Sequence, residues 1–146
     1  MWFLKKFGRK TNLVFGIFVQ GVMFWGMGMM YYFTWWGMLY PAAIIFILSF
    51  SLGMGGTSYP YIVEILPPVG VGLAMACQWV FTGCIGYFIP TLAKEDVLGV
   101  LPLFIIFGCL CTFGFFLLDW LVIETKDKSG SKIASEYKNL PYRFLR

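Results

Sequence analysis

The chain has 146 residues, of which 60% are hydrophobic, 21% aromatic and only 12% charged, with a formal net charge of +4 and a mean hydropathy of +0.79. Soluble domains use about 25% charged residues, so this composition belongs in a bilayer. The basic excess is confined to the chain ends, where lipid headgroups account for it, and no nucleic-acid partner is expected.

Residues 1–11 carry Lys5, Lys6, Arg9 and Lys10, with Gly8-Arg9-Lys10 immediately before the first long apolar run. That run outlasts the about 7–15 apolar residues of a secretory signal, and no small-residue cleavage site follows, so it reads as a retained span. Residues 11–63, 65–93 and 97–118 contain no Asp, Glu, Lys or Arg. A spanning helix needs about 20 such residues, so the first run holds two helices. Lipid leaves backbone groups no water to bond, which restricts spans to helices or closed barrels. Continuous apolarity, in place of the alternation of barrel strands, predicts an all-α membrane protein with helices at 12–33, 37–62, 72–92 and 98–121.

The first hairpin closes at TWWG, 34–37, among Tyr31, Tyr32 and Tyr40, whose amphipathic rings suit headgroup depth. Glu64 is the sole charged residue between Lys10 and Lys94. Pro67 and Pro68 are expected to stop the second helix just beyond it, and Pro90 to stop the third. Glycines recur inside all four spans, as helices packed against other protein require. Gln20 on the first span reads as an interhelical hydrogen bonder. Residues 123–146 are polar, mixed in charge and without core-forming periodicity, so they read as a mobile or interfacial tail.

Four spans put both termini on one side, with Lys5, Lys6, Arg9, Lys10, Lys126, Lys128, Lys132, Lys138, Arg143 and Arg146; the other side holds Lys94. The positive-inside rule makes both termini cytosolic, and Glu64 with them.

Enzyme chemistry has little to work with. There is no histidine, which removes the usual general base and the commonest metal ligand. Cys77, Cys84, Cys109 and Cys111 lie inside spans without metal-clip spacing and read as small apolar packers. No glycine-rich phosphate loop follows a strand. No enzyme activity, cofactor or metal is expected.

Four stretches in order, KKFGRK (5–10), YPYIVEILPP (59–68), QW (78–79) with a later Pro90, and ETKDKS (124–129), resemble the C-terminal half of sugar porters of the major facilitator superfamily. In that family a Gly-Arg-Arg/Lys turn precedes helix nine, a Glu-Ile/Leu-Phe/Leu-Pro stretch ends helix ten, an Asn/Gln-Trp pair lies on helix eleven, and Pro-Glu-Thr-Lys-Gly follows helix twelve. Tyr59 stands where the family has tryptophan, and Ile123 and Asp127 replace the proline and glycine around ETK. The resemblance implies a C-terminal fragment that moves a hexose-like sugar by alternating access only when the missing half is supplied.

It further implies that Tyr59, Gln78 and Trp79 face the sugar, Trp79 having helix packing as its alternative role. It also implies that Arg9 and Glu64 form a cytosolic gating salt bridge, with Glu124 sharing the arginine or pairing with Lys126. The partners are then membrane lipid, a sugar-like solute, and the missing transporter half or other membrane subunits. A different class stays open at this point: a structural or accessory four-helix subunit of a larger membrane complex.

Overall fold

Leu13, Gly16, Ile17, Gln20, Gly21, Met27 and Gly28 recur at helical spacing, and they form the buried face of the first helix. The computed structural model describes residues 8–126, 128 and 130–138. Lys5, Lys6, Asp127, Arg143 and Arg146, named above, lie outside these residues. The helices are α1 (Arg9–Tyr32), α2 (Trp36–Phe50), α3 (Gly56–Ile65), α4 (Pro68–Leu92), α5 (Val100–Leu121) and α6 (Gly130–Lys138), with a π-helical turn, Ser51–Gly55, joining α2 to α3. Among the described residues, four helices are long and apolar enough to span a membrane: α1, the continuous Trp36–Ile65, α4 and α5. The chain is an integral, multi-pass membrane protein of all-α class.

The first span is the centre of the packing, with α5 on one side and the second span on the other. Small residues make both contacts close. A Cβ on Gly53 would lie 2.7 Å from the Gly16 Cα, so the two backbones touch there. On the other side, Trp25 lies over Gly108, whose Cβ would fall 3.1 Å from the indole, and the Trp25 Nε1–H donates to Thr112 Oγ1 at 3.3 Å. Phe24 bridges the two seams, stacked on Phe107 and edge-on to Phe46.

The proline boundary after Glu64 falls where expected, whereas the one at Pro90 does not. The second span ends at Ile65, with Leu66 extended before Pro67. Pro68 does not merely stop a helix; it occupies the first turn of α4, where its missing N–H has no intrahelical partner to lose. Pro90 lies inside α4, which runs on to Leu92. Pro60 lies inside α3, four residues after Gly56, and so cannot bond back to that carbonyl. The wide Ser51–Gly55 turn sits just before this weak point, where Gly53 presses on α1. In the first hairpin, Thr34 takes a left-handed φ of 58° between α1 and α2, an uncommon conformation for a β-branched residue.

Two further expectations change. Gln20 is buried, yet its amide nitrogen has no hydrogen-bond partner among the described residues; Asn12 Nδ2 and Thr57 Oγ1 share that condition. The tail is not structureless, because α6 packs against α3 and buries Ile133. Nine residues with one buried isoleucine are too short for their periodicity to stand out from a polar segment.

Gly53→Ala is expected to lower the stability of the detergent-solubilised protein by about 1–3 kcal/mol, since the helix backbones must separate. Gly26→Ala, which meets nothing within 4 Å, serves as the neutral control in the same thermal melts.

Candidate functional site: the charged end of the bundle

The beginning of α1, the end of α3 and the chain leaving α5 converge at one end of the bundle. The side chains of two consecutive residues, Arg9 and Lys10, pair with two different acids, Glu64 and Asp119. The Arg9 guanidinium lies 2.5 Å from Glu64 Oε1, with the two side chains 29% and 32% exposed. The other Glu64 oxygen accepts the Thr125 hydroxyl proton at 2.8 Å, and Thr125 is itself buried. Lys10 Nζ lies 3.1 Å from Asp119 Oδ1 and also donates to the Asp119 carbonyl oxygen.

Glu124 takes a role that the sequence did not suggest. Its carboxylate accepts the backbone N–H of Arg9 at 2.8 Å, of Lys10 at 3.2 Å and of Lys126 at 3.1 Å. It therefore meets Arg9 through the main chain, while the guanidinium itself goes to Glu64. The first N–H groups of a helix lack intrahelical partners and carry the positive end of its dipole, so a carboxylate there is doubly favoured. No side chain caps α1 from its own N-cap position, because that residue is Gly8. The glycine is what admits Glu124: a Cβ at residue 8 would collide with the Glu124 carboxylate. Arg9, whose charge opposes the dipole at this position, is offset by two acids instead of one.

A second strap lies beneath. Tyr61, one turn before Glu64, is buried, and its hydroxyl accepts the Ile123 N–H at 3.3 Å and donates to the Ile123 carbonyl at 3.2 Å. With its proton so used, it accepts the Tyr137 hydroxyl from α6 at 2.5 Å. Val122 and Ile123 are buried against the same helix ends, and Leu13, Tyr61 and Val122 form one apolar cluster. Lys128 pairs with Glu136 at 2.7 Å, which ties α6 to the segment before it. Asp119, Tyr61 and Tyr137 were not singled out from the sequence; the visible signal was that all three fall on the side that collects the basic residues.

The expected sugar-facing residues are not assembled. Tyr59 is 53% exposed on α3, and Trp79 is 70% exposed on α4 beside an exposed Gln78. No hydrogen bond or ring contact joins the three to one another among the described residues. The reason lies in α4, which has no buried residue and packs chiefly against the adjacent α3. Among the described residues no cluster of three potential metal ligands occurs.

Residues 1–137 match the profile described as "Sugar (and other) transporter". The chain belongs to the sugar transporter family. This places it in the major facilitator superfamily and assigns it to solute transport across a membrane. No curated protein and no solved structure matched it.

Exchange of both Arg9 and Glu64 for glutamine is expected to reveal a coupling of about 1 kcal/mol in a double-mutant cycle read by thermal stability. Additive losses would mean that the pair contributes no mutual stabilisation.

Proposed function

We propose that this sugar transporter chain forms the C-terminal part of a porter for a hexose-like solute, working by alternating access and requiring further membrane helices. Its termini and the charged end lie in the cytosol, and the Arg9–Glu64 pair with the Glu124 cap holds the inner gate closed. The observation that carries this reading, beyond family membership, is the uncovered third span. In its most apolar 18-residue stretch 0% of the residues are buried, against 33% in the first span and 11% in each of the other two. Gln78 lies ten residues into α4, roughly 15 Å along its axis. An amide at that depth in hydrocarbon lacks partners, which disfavours lipid on that face and favours neighbouring protein or a polar cavity.

In this reading the completed cavity brings the sugar to α4. The Gln78 amide supplies both a donor and acceptors to hydroxyls, and Trp79 offers a flat face to the C–H side of a pyranose ring. Tyr59 contributes a phenol from α3. Opening the cytosolic side then requires α3 to move away from α1, which breaks the Arg9–Glu64 contact and frees Thr125. Such a transition needs two discrete arrangements of the packed helices rather than gradual deformation.

The experiment has two parts. The chain reconstituted alone in liposomes is expected to give no saturable glucose uptake over empty vesicles. A photo-crosslinking residue at Val80 in native membranes is expected to capture a multi-span membrane protein. Saturable, stereospecific uptake by the chain alone, or capture of lipid only, would overturn the proposal.

A further inference from the structure

Away from α4, an open groove of about 440 Å³ lies between α1 and α5. Its inner part is apolar: Val14 and Phe15 on one wall, and the Phe18–Phe115 pair, with ring centroids 5.5 Å apart, at the deep end. Its outer rim is polar, formed by Lys10, Thr11 and Asp119. From Lys10 to Phe18 the groove descends roughly 12 Å along α1, comparable with the about 15 Å of hydrocarbon in one leaflet. Phe15 and Phe18 are 65% and 50% exposed, so the groove faces outward, where an acyl chain can enter from the side.

The rim selects the occupant. The Lys10 ammonium has three N–H donors, of which Asp119 Oδ1 and the Asp119 carbonyl take two. The Asp119 side chain is 62% exposed and keeps its second oxygen open to an incoming donor. Thr11 is exposed beside them and adds a hydroxyl. The rim thus carries one positive and one negative group and no net charge. An anionic headgroup would gain Lys10 but set its own negative charge beside Asp119. A zwitterion can satisfy both: a phosphodiester accepts from Lys10 and Thr11, and a primary ammonium donates to Asp119. A choline headgroup has no N–H and makes only the first of these contacts.

We propose that this groove is a binding site for a phospholipid with a phosphodiester and a primary-ammonium headgroup, of the phosphatidylethanolamine class. Its acyl chain lies along Val14 and Phe15 toward Phe18, and its headgroup joins the start of α1 to the end of α5. The site is separate from the α4 face and does not depend on which solute is carried.

Native mass spectrometry of the full chain released from nanodiscs of equimolar phosphatidylethanolamine, phosphatidylcholine and phosphatidylglycerol provides the test. The wild type is expected to retain the ethanolamine lipid roughly fivefold over either competitor, the size of one partly exposed charge contact. Asp119→Asn is expected to abolish the preference for ethanolamine over choline, and Thr11→Val to weaken retention while leaving the Lys10–Asp119 pair intact. Val14→Trp, which fills the groove without touching the rim charges, is expected to displace bound lipid of every headgroup. Equal retention of the three lipids, preference for the glycerol lipid, no retained lipid, or unchanged retention in Val14→Trp would each overturn the assignment.

Discussion

Glu124 reaching the exposed N–H groups of α1 is the constraint on which the charged end depends. One carboxylate satisfies Arg9, Lys10 and Lys126 backbone donors together, so the segment leaving α5 is fixed to the first turn of α1. Once that segment is fixed, Thr125 stands beside Glu64 and Ile123 stands beside Tyr61. The end of α3 is thereby drawn to the same place, and Arg9 can reach Glu64 across a short gap. Gly8 is the residue that permits all of this, by leaving room that any side chain would fill. Three helix ends that are far apart in sequence become one unit through a few oriented oxygens.

Packing elsewhere is uneven. Along α1, glycines and a buried apolar face hold the first span between its two neighbours. The third span has no such embrace, and it carries the Gln-Trp pair. A helix that must present polar and aromatic groups to a solute gains little by burying them against its own chain. Under the proposed function, the closely packed pair α1 and α5 serves as scaffold, and α4 supplies the face that other helices and the solute would complete. The buried amide nitrogens of Asn12 and Gln20 and the Thr57 hydroxyl, which have no partner among the described residues, lie along α1 and α3, within the part that packs most closely.

Charge and hydropathy made the spans legible, because few other arrangements bury so many apolar residues with so little charge. The meeting of Arg9 and Glu64 could also be reasoned beforehand: antiparallel neighbours place the first charge of one span and the last of the next at equal depth. Other features left no such trace. Gly8 in a basic loop looks like any turn glycine until the carboxylate it admits is seen. Glu124 sat beside lysines, which suggested ion pairing, whereas unpaired amides at a helix start are invisible in residue types. The π turn at Ser51–Gly55 coincides with the close approach of Gly53 to Gly16 and precedes Pro60, and a string of glycines alone does not specify it. Helix α6 was hidden because its anchor, Tyr137 on Tyr61, is a tertiary contact across 76 residues.

The most direct measurement is amide hydrogen exchange on the full chain in nanodiscs, resolved at Arg9, Lys10 and Lys126. These amides sit at the ends of elements, where exchange is fast unless a specific acceptor holds them. The account predicts slowed exchange at all three in the wild type, and its loss in Glu124→Ala with amides in the middle of α1 unchanged. Exchange at the unprotected rate in the wild type, or protection that survives removal of the Glu124 carboxylate, would contradict it.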